Sequence, residues 1–261
     1  MRSLSTGAMG MLAQQLNVDV LSNNIANLTT TSFKRSRAEF QDFLYQSYRR
    51  VGTTSSDAGT IVPVGVQVGG GVRAAGTYRI HEQGAVKVTE NPLDLAINGH
   101  GFFQVNLPDG TLGYTRAGSF QISPEGNIVT VDGYTIVGPD ALPAGATGIT
   151  VNEQGTVQAT IQGQDAAIEL GQFELARFVN DAGLEAIGNN NYIVTAASGD
   201  PAIGVPGAEG YGRIRQGMIE NSNVNVVEEV TQLITAQRAY EMNSKVISTS
   251  DEMLRSIVQL R

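Results

Sequence analysis

Apolar residues recur at three-four spacing near both ends of this chain and alternate one-by-one between them. Leu4, Met11, Val18 and Ile25 stand seven residues apart, and Leu21 and Leu28 fill the intervening positions. Toward the other end, Val226, Val230, Leu233, Tyr240, Ile247, Leu254 and Val258 trace a second seam of the same kind. Each lays one narrow apolar stripe along a helix, which is what a coiled coil or bundle requires. The first helical pattern covers residues 3–28. Ser3 or Ser5 stands where a cap is needed, and the β-branched run Thr29, Thr30, Thr31 should end it. The second starts near Asn223 or Asn225, either a good N-cap, with Glu228 and Glu229 favourable in its first turn. Amides interrupt both seams: Asn23, Asn24 and Asn27 in the first, Gln237 and Asn243 in the second. A buried amide there costs stability but sets register and partner number.

Between the helices the period changes. A short apolar pattern at Phe40, Phe43 and Leu44 is followed by residues 48–64, which have neither helical nor strand periodicity. They read as an extended arm or long loop. Tyr45, Tyr48, Val51, Ile61 and Val62 are its expected anchors, with Arg49 and Arg50 available for acidic neighbours. From residue 65 to 210 the chain reads as strands. Tyr78 and Ile80, then Val86 and Val88, alternate around Gln83-Gly84, and Leu93, Leu95 and Ile97 run into Asn98-Gly99 and Phe102-Phe103. Asp109-Gly110, Glu125-Gly126, Asp132-Gly133 and Gln154-Gly155 mark further turns, because Gly readily takes the positive φ that a tight hairpin demands.

The fold class is therefore mixed α and β: discontinuous terminal helices pairing as a coiled coil, with a central all-β body. The expected boundaries are nested. Residues 1–33 and 222–261 form the helical domain, 34–64 a connector with the extended arm, 65–210 the β-rich domain, and 211–221 the return connector.

Charge sharpens this division. Residues 91–210 carry 2 basic and 13 acidic side chains, while residues 1–90 carry 9 basic and 6 acidic. An acidic body is poorly suited to nucleic-acid phosphates, so no nucleic-acid partner is expected. Lys34, Arg35 and Arg37 read as a solvated helix exit or a subunit contact. With no Cys, no disulfide, zinc cluster or thiol nucleophile is available. Gly7, Gln14, Gln15, Asn17 and Asp19 interrupt any apolar leader core, so no cleaved secretion signal is expected.

Chemistry is sparse. His81 and His100 lack partners at ligand spacing, and each reads as a satisfied imidazole in a loop or strand. There is no Gly-x-Ser-x-Gly elbow and no phosphate-binding loop. The reading is of a non-enzyme without catalytic residues, metal, cofactor or small-molecule substrate. The alternatives are an adhesin-like β protein on helical stalks and an enzyme acting on peptidoglycan.

The stretches Leu21-Ser-Asn-Asn-Ile-Ala-Asn-Leu-Thr-Thr-Thr-Ser-Phe-Lys34, Ser222-Asn-Val-Asn-Val-Val-Glu-Glu-Val230 and Ala236-Gln-Arg-Ala-Tyr-Glu-Met-Asn-Ser-Lys245 resemble the terminal signatures of bacterial flagellar rod and hook proteins. Pro92-Leu-Asp-Leu-Ala-Ile-Asn-Gly-His-Gly-Phe-Phe103 and Tyr114-Thr-Arg-Ala-Gly-Ser-Phe120 fit the same family. Residues 36–46 and the arm point to its distal-rod branch, with proximal rod or hook subunits as the alternative. Ser32 stands where the family usually carries Gly before Phe-Lys, which argues against a left-handed helix cap there.

The resemblance implies a subunit of a hollow axial rod in the flagellar basal body, spanning the periplasm to the outer membrane. It implies torque transmission and export through the flagellar type III apparatus. The implied partners are further copies in a helical homopolymer, proximal rod proteins, hook protein, bushing-ring proteins and a rod cap. In that setting the helices would line the tube and the β body would lie outside.

Overall fold

Asn225 starts the longer helix, α2 (Val226–Gln259), as a side-chain cap. Its Oδ1 accepts the Val227 N–H at 3.1 Å, and Glu228 and Glu229 lie in the positive first turn. The shorter helix, α1 (Arg2–Ala26), stops three residues before Thr29, leaving Leu28 beyond its end. Ser5 is not a cap: it lies inside α1 and donates its hydroxyl to the Arg2 carbonyl at 2.8 Å. The computed structural model describes residues 2–49, 64–143, 145–161 and 167–259. These divide into two compact units. One comprises residues 1–26, 36–78 and 225–261, the other residues 27–35 and 79–224.

In the helical unit α1 and α2 pack antiparallel. Ser3 meets Ser250, Gly7 faces Ile247, Gly10 faces Asn243, and Asn24 donates to Glu229 at 3.0 Å. Several of the facing positions are small or polar, beside the half-buried apolar residues of the expected seam. A Cβ on Gly7 would stand 3.0 Å from Ile247 Cγ1, so the missing side chain is what lets the helices approach. Beside them, strand Ser36–Asp42 pairs with Val72–Arg79, and Tyr45–Arg49 pairs antiparallel with Val66–Gly69. The start of the expected arm is therefore a strand: Tyr48 and Arg49 are in a ladder. Arg50, Val51, Ile61 and Val62 lie outside the described residues.

The β-rich unit centres on an antiparallel six-stranded sheet, in the order Glu185–Gly188, Asn191–Ile193, Leu112–Thr115, Phe102–Asn106, Leu175–Arg177, Ala202–Gly204. A three-stranded sheet (Ala146–Val151, Thr156–Ile161, Ile168–Gln172) packs with it around Phe103, Phe120, Phe173, Val157 and Ile214. The four turn glycines at 110, 126, 133 and 155 hold φ between 81° and 89°, and each N–H closes a bond to the carbonyl three residues back.

The strands beside Gln83-Gly84 and Asn98-Gly99 pair with a distant part of the chain. Val86–Val88 pairs with Met218–Glu220, and Leu95–Asn98 with Arg213–Gln216. The returning chain supplies both partners, so Gln83-Gly84 and Asn98-Gly99 are crossover points between non-local ladders. Gly84 shows why no hairpin closes there: a Cβ would fall 2.0 Å from the Asn221 carbonyl oxygen, so the returning strand occupies that space.

Candidate functional site

The helical unit carries many of the exposed large apolar side chains. Of the predicted seam in α1, Leu21 is buried, and Leu4, Met11, Val18, Ile25 and Leu28 are half-buried. In α2, Leu233, Ile247 and Leu254 face inward, while Val226, Val230, Tyr240 and Val258 are exposed. The amides divide similarly: Asn24 is buried, Asn27 and Asn243 half-buried, Asn23 and Gln237 exposed. Sequence reasoning missed Gly7, Gly10, Ala13, Ala236, Glu229 and Ser250 on the inner faces. The available signal was small residues in phase: Gly7, Gly10 and Ala13 three apart in α1, and Ala236 and Ser250 two heptads apart in α2.

Three hydrogen bonds of Asn24 tie α1 to α2 and to the strand that follows α1. Asn24 accepts the Ser36 N–H at 2.8 Å, and its Nδ2 donates to both the Ser36 carbonyl and Glu229. Turned away from or flanking the α1 contact, α2 carries Val227, Val230, Ile234, Met242, Val246 and Met253, all exposed, Met242 by 70%. A stripe spaced this way on a helix that already buries another face has no partner within the helical pair. The strand ribbon adds Phe43, Leu44, Tyr45, Tyr48, Val66 and Val68, also exposed. The Arg2 guanidinium lies 4.8 Å from the Tyr48 ring centre. Between α1 and the ribbon runs a groove of about 400 Å³, lined by Met9, Phe43, Leu44, Tyr45 and Val68 among others. Gly71 holds φ at 129° where a side chain would strike Met9 Sδ, so the ribbon lies close on the helix.

The β-rich unit hides its charge instead. Lys34, read from sequence as part of a solvated cluster, has a fully buried side chain. Its Nζ donates to Glu220 Oε1 at 2.5 Å and to the Glu82 carbonyl at 2.7 Å. Glu220 Oε2 accepts from Arg116 Nε at 2.9 Å, and Oε1 also accepts the Gly84 N–H. Arg116 spends its remaining donors on the carbonyls of Ile97, Gly99 and Gly101. Burial pushes the Glu220 carboxyl up, but the Arg116 and Lys34 cations and the Gly84 N–H outweigh it and hold the carboxyl below its ordinary value. Burial lowers the Lys34 ammonium against the pull of Glu220.

His81 lies edge-on to Phe102 and Tyr192, and its buried Nδ1 has no hydrogen-bond partner among the described residues, where a satisfied imidazole was expected. Burial, with Lys34, Arg116 and Arg79 nearby, lowers its pKa to about 4. His100 is exposed. Among the described residues no group of three or more His, Asp or Glu is arranged to hold a metal ion.

Ser32 takes the left-handed conformation that its side chain argued against, at φ 57°. The strain of an L-residue there is offset locally. Its N–H donates to the Glu220 carbonyl at 2.8 Å and its hydroxyl to the Arg116 carbonyl at 2.8 Å. The hydroxyl bonds a carbonyl that a Gly at this position would leave without that donor.

Comparison with known proteins agrees along the whole chain. Residues 4–34 match the flagella basal body rod protein family, residues 96–159 the D1 domain of flagellar hook protein FlgE/F/G, and residues 215–260 the C-terminal region of flagellar basal body rod FlgEFG protein. The chain is 55% identical to the flagellar basal-body rod protein FlgG of Caulobacter vibrioides, covering 100% of both chains. It is 49% identical to that of Borreliella burgdorferi, covering 97% of this chain and 96% of the other. Against the Bacillus subtilis protein of the same name it is 37% identical over 100% of this chain and 99% of the other. Lys34, Arg116 and Glu220, which meet in the fold, thus come from three separately matched segments. The chain belongs to the family of flagellar basal-body rod protein FlgG, and is a structural subunit of the distal rod in the flagellar basal body.

Proposed function

We propose that this subunit polymerises through its helical unit into a rigid hollow shaft, with α1 and α2 lining the tube and the β-rich unit forming the outer layer. The shaft carries torque from motor to hook and leaves a central channel for export. The observation that carries this reading is the second apolar face of α2, uncovered after α1 has taken the first. Burying a stripe of Val, Ile and Met against neighbouring copies would stabilise assembly by about 25 cal/mol per Å² removed from water. A helical pair built on glycine, alanine and amides gains little from its own contacts, so assembly supplies the missing apolar burial. Proximal rod proteins and hook protein would meet the two ends of the shaft, bushing-ring proteins its acidic outer surface. A rod cap and the type III export apparatus would serve its growth.

The arm at residues 48–64 is proposed to reach a neighbouring subunit and resist sliding, since its foot is the exposed ribbon of Tyr45 and Tyr48. Ile234→Asp tests the main reading. Ile234 is 46% exposed, so the folded chain should tolerate the change while the polymer is lost. Sedimentation and electron microscopy read the outcome, and normal filaments from Ile234→Asp would overturn the proposed interface.

A further inference from the structure

The buried charges of the β-rich unit come from widely separated parts of the chain, and their order is informative. Lys34 lies in the segment that follows α1, Arg116 in the body, and Glu220 at the end of the last strand before α2. Lys34 and Glu220 side chains are 0% exposed and Arg116 is 5% exposed. Two cations and one anion therefore share a site with almost no water. Until residue 220 arrives, closing this site would bury both cations against carbonyls alone. Desolvation opposes that strongly, because an unpaired buried charge is far costlier than a paired one.

Glu220 does not travel alone. Strand Met218–Glu220 completes the ladder to Val86–Val88, and Arg213–Gln216, just before it, pairs with Leu95–Asn98 and brings Ile214 into the main core. The Glu220 backbone also receives the Ser32 N–H, and its carboxylate receives the Gly84 N–H. Loss of Glu220 from the site would thus release the N-terminal connector, the 82–84 turn and both returning strands together.

We propose that Glu220 is a closing lock: the β-rich unit packs its core only when the carboxylate near the C-terminal helix reaches the two cations supplied by earlier parts of the chain. Folding of the body is thereby coupled to completion of the polypeptide, and a partly formed body stays open. The lock is distinct from the assembly surface of α2, so its failure and failure of the polymer contact are separately readable.

The chain's lack of cysteine supplies the test. Ala159 is 0% exposed in the core that Ile214 completes, so a single Ala159→Cys substitution in the full-length chain reports closure by thiol labelling. Adding Glu220→Gln, nearly isosteric but uncharged, should speed labelling at neutral pH by about 100-fold, as expected when one member of a buried ion pair is removed. Unchanged labelling would overturn the lock. Since the Gln variant alone does not separate charge from shape, a second variant replaces all three members: Lys34→Met, Arg116→Leu and Glu220→Leu. With no charge left to neutralise, labelling should slow back toward the parent rate. If the triple variant stays as open as Glu220→Gln, the cluster acts through hydrogen-bonded shape and the neutralisation mechanism is wrong.

Discussion

In the β-rich unit Phe102, Phe103, Phe173 and Tyr114 are at most 2% exposed, whereas in the helical unit Tyr240, Met242, Met253 and Val258 are 43 to 73% exposed. The same contrast holds for what each buries. The helical unit encloses Ala13, Leu21 and Ala236 with Asn24, Glu229 and Ser250. The β-rich unit encloses two aromatic clusters, with Phe103 edge-on to Phe120 and Phe173, and Tyr114 edge-on to Phe178. One unit is complete as a folded body, while the other keeps its large apolar groups at the surface. On the proposed assembly, that difference would let the β-rich unit fold on its own core while the helical unit contributes the contacts between copies. The β-rich unit carries acidic charge and a large apolar core, and the helical unit packs through small residues and a few buried polar contacts.

The strongest way to break the comparison is to truncate one large side chain in each unit. Phe103→Ala should cost about 3–5 kcal/mol of folding stability, since it opens a cavity in a packed core. Met242→Ala should change monomer stability by no more than about 0.5 kcal/mol, because it removes exposed surface. Chemical denaturation of the unassembled chain measures both, and equal losses would mean that the helical unit has a core of its own.

Acid should act on the β-rich unit through His81. Its folded pKa of about 4 lies below the ordinary 6.5, because burial and the cations Lys34, Arg116 and Arg79 disfavour the imidazolium, only partly offset by Glu220. The unfolded chain therefore binds more protons between these values, and stability falls as pH drops from 6.5 toward 4. The loss amounts to about 3 kcal/mol. Glu220, with its carboxyl also held low, adds to the loss below the unfolded carboxylate range. His81→Gln should flatten the slope between pH 6.5 and 4 in urea titrations at stepped pH, and an unchanged slope would remove His81 from the account.

A smaller effect is expected at the helical seam. Gly7→Leu must push against Ile247 and the Asn243 carbonyl, costing about 1–3 kcal/mol and loosening amide protection of α1 and α2 while the β ladders stay protected. Loss of protection in both units alike would show that they fold as one. The smallest change should be Ser32→Gly. Relief of a left-handed backbone, about 1 kcal/mol, nearly cancels the lost hydroxyl bond to Arg116. A thermal shift beyond about 3 °C in either direction would show that one of the two dominates.

Much of this protein was legible locally. Asn225 capped its helix, the Thr29–Thr31 run followed the end of the other, and four Asp-Gly, Glu-Gly and Gln-Gly pairs made turns with left-handed glycines. Each signal works within a few residues, through capping bonds, steric limits on φ or the period of one face, so no distant partner is needed to read it. The heptad spacing announced the helices, but it did not tell which of their residues pack within the pair. Periodicity reports that a stripe is apolar, not which of two stripes meets the neighbouring helix, and the close approach at Gly7 and Gly10 decided that. Alternation likewise announced strands but not their partners: Val86–Val88 and Leu95–Asn98 pair with the returning chain.

By itself, then, the sequence determined the family, the element types, the turns and the acidic character of the body. Only the tertiary structure decided that Lys34 meets Glu220 across 186 residues, that Asn24 meets Glu229 across 205, and that Ser32 is tolerable at a glycine's position. Those contacts depend on chain closure, whose outcome rests on packing and desolvation summed over the whole body. No short window of residues carries that sum.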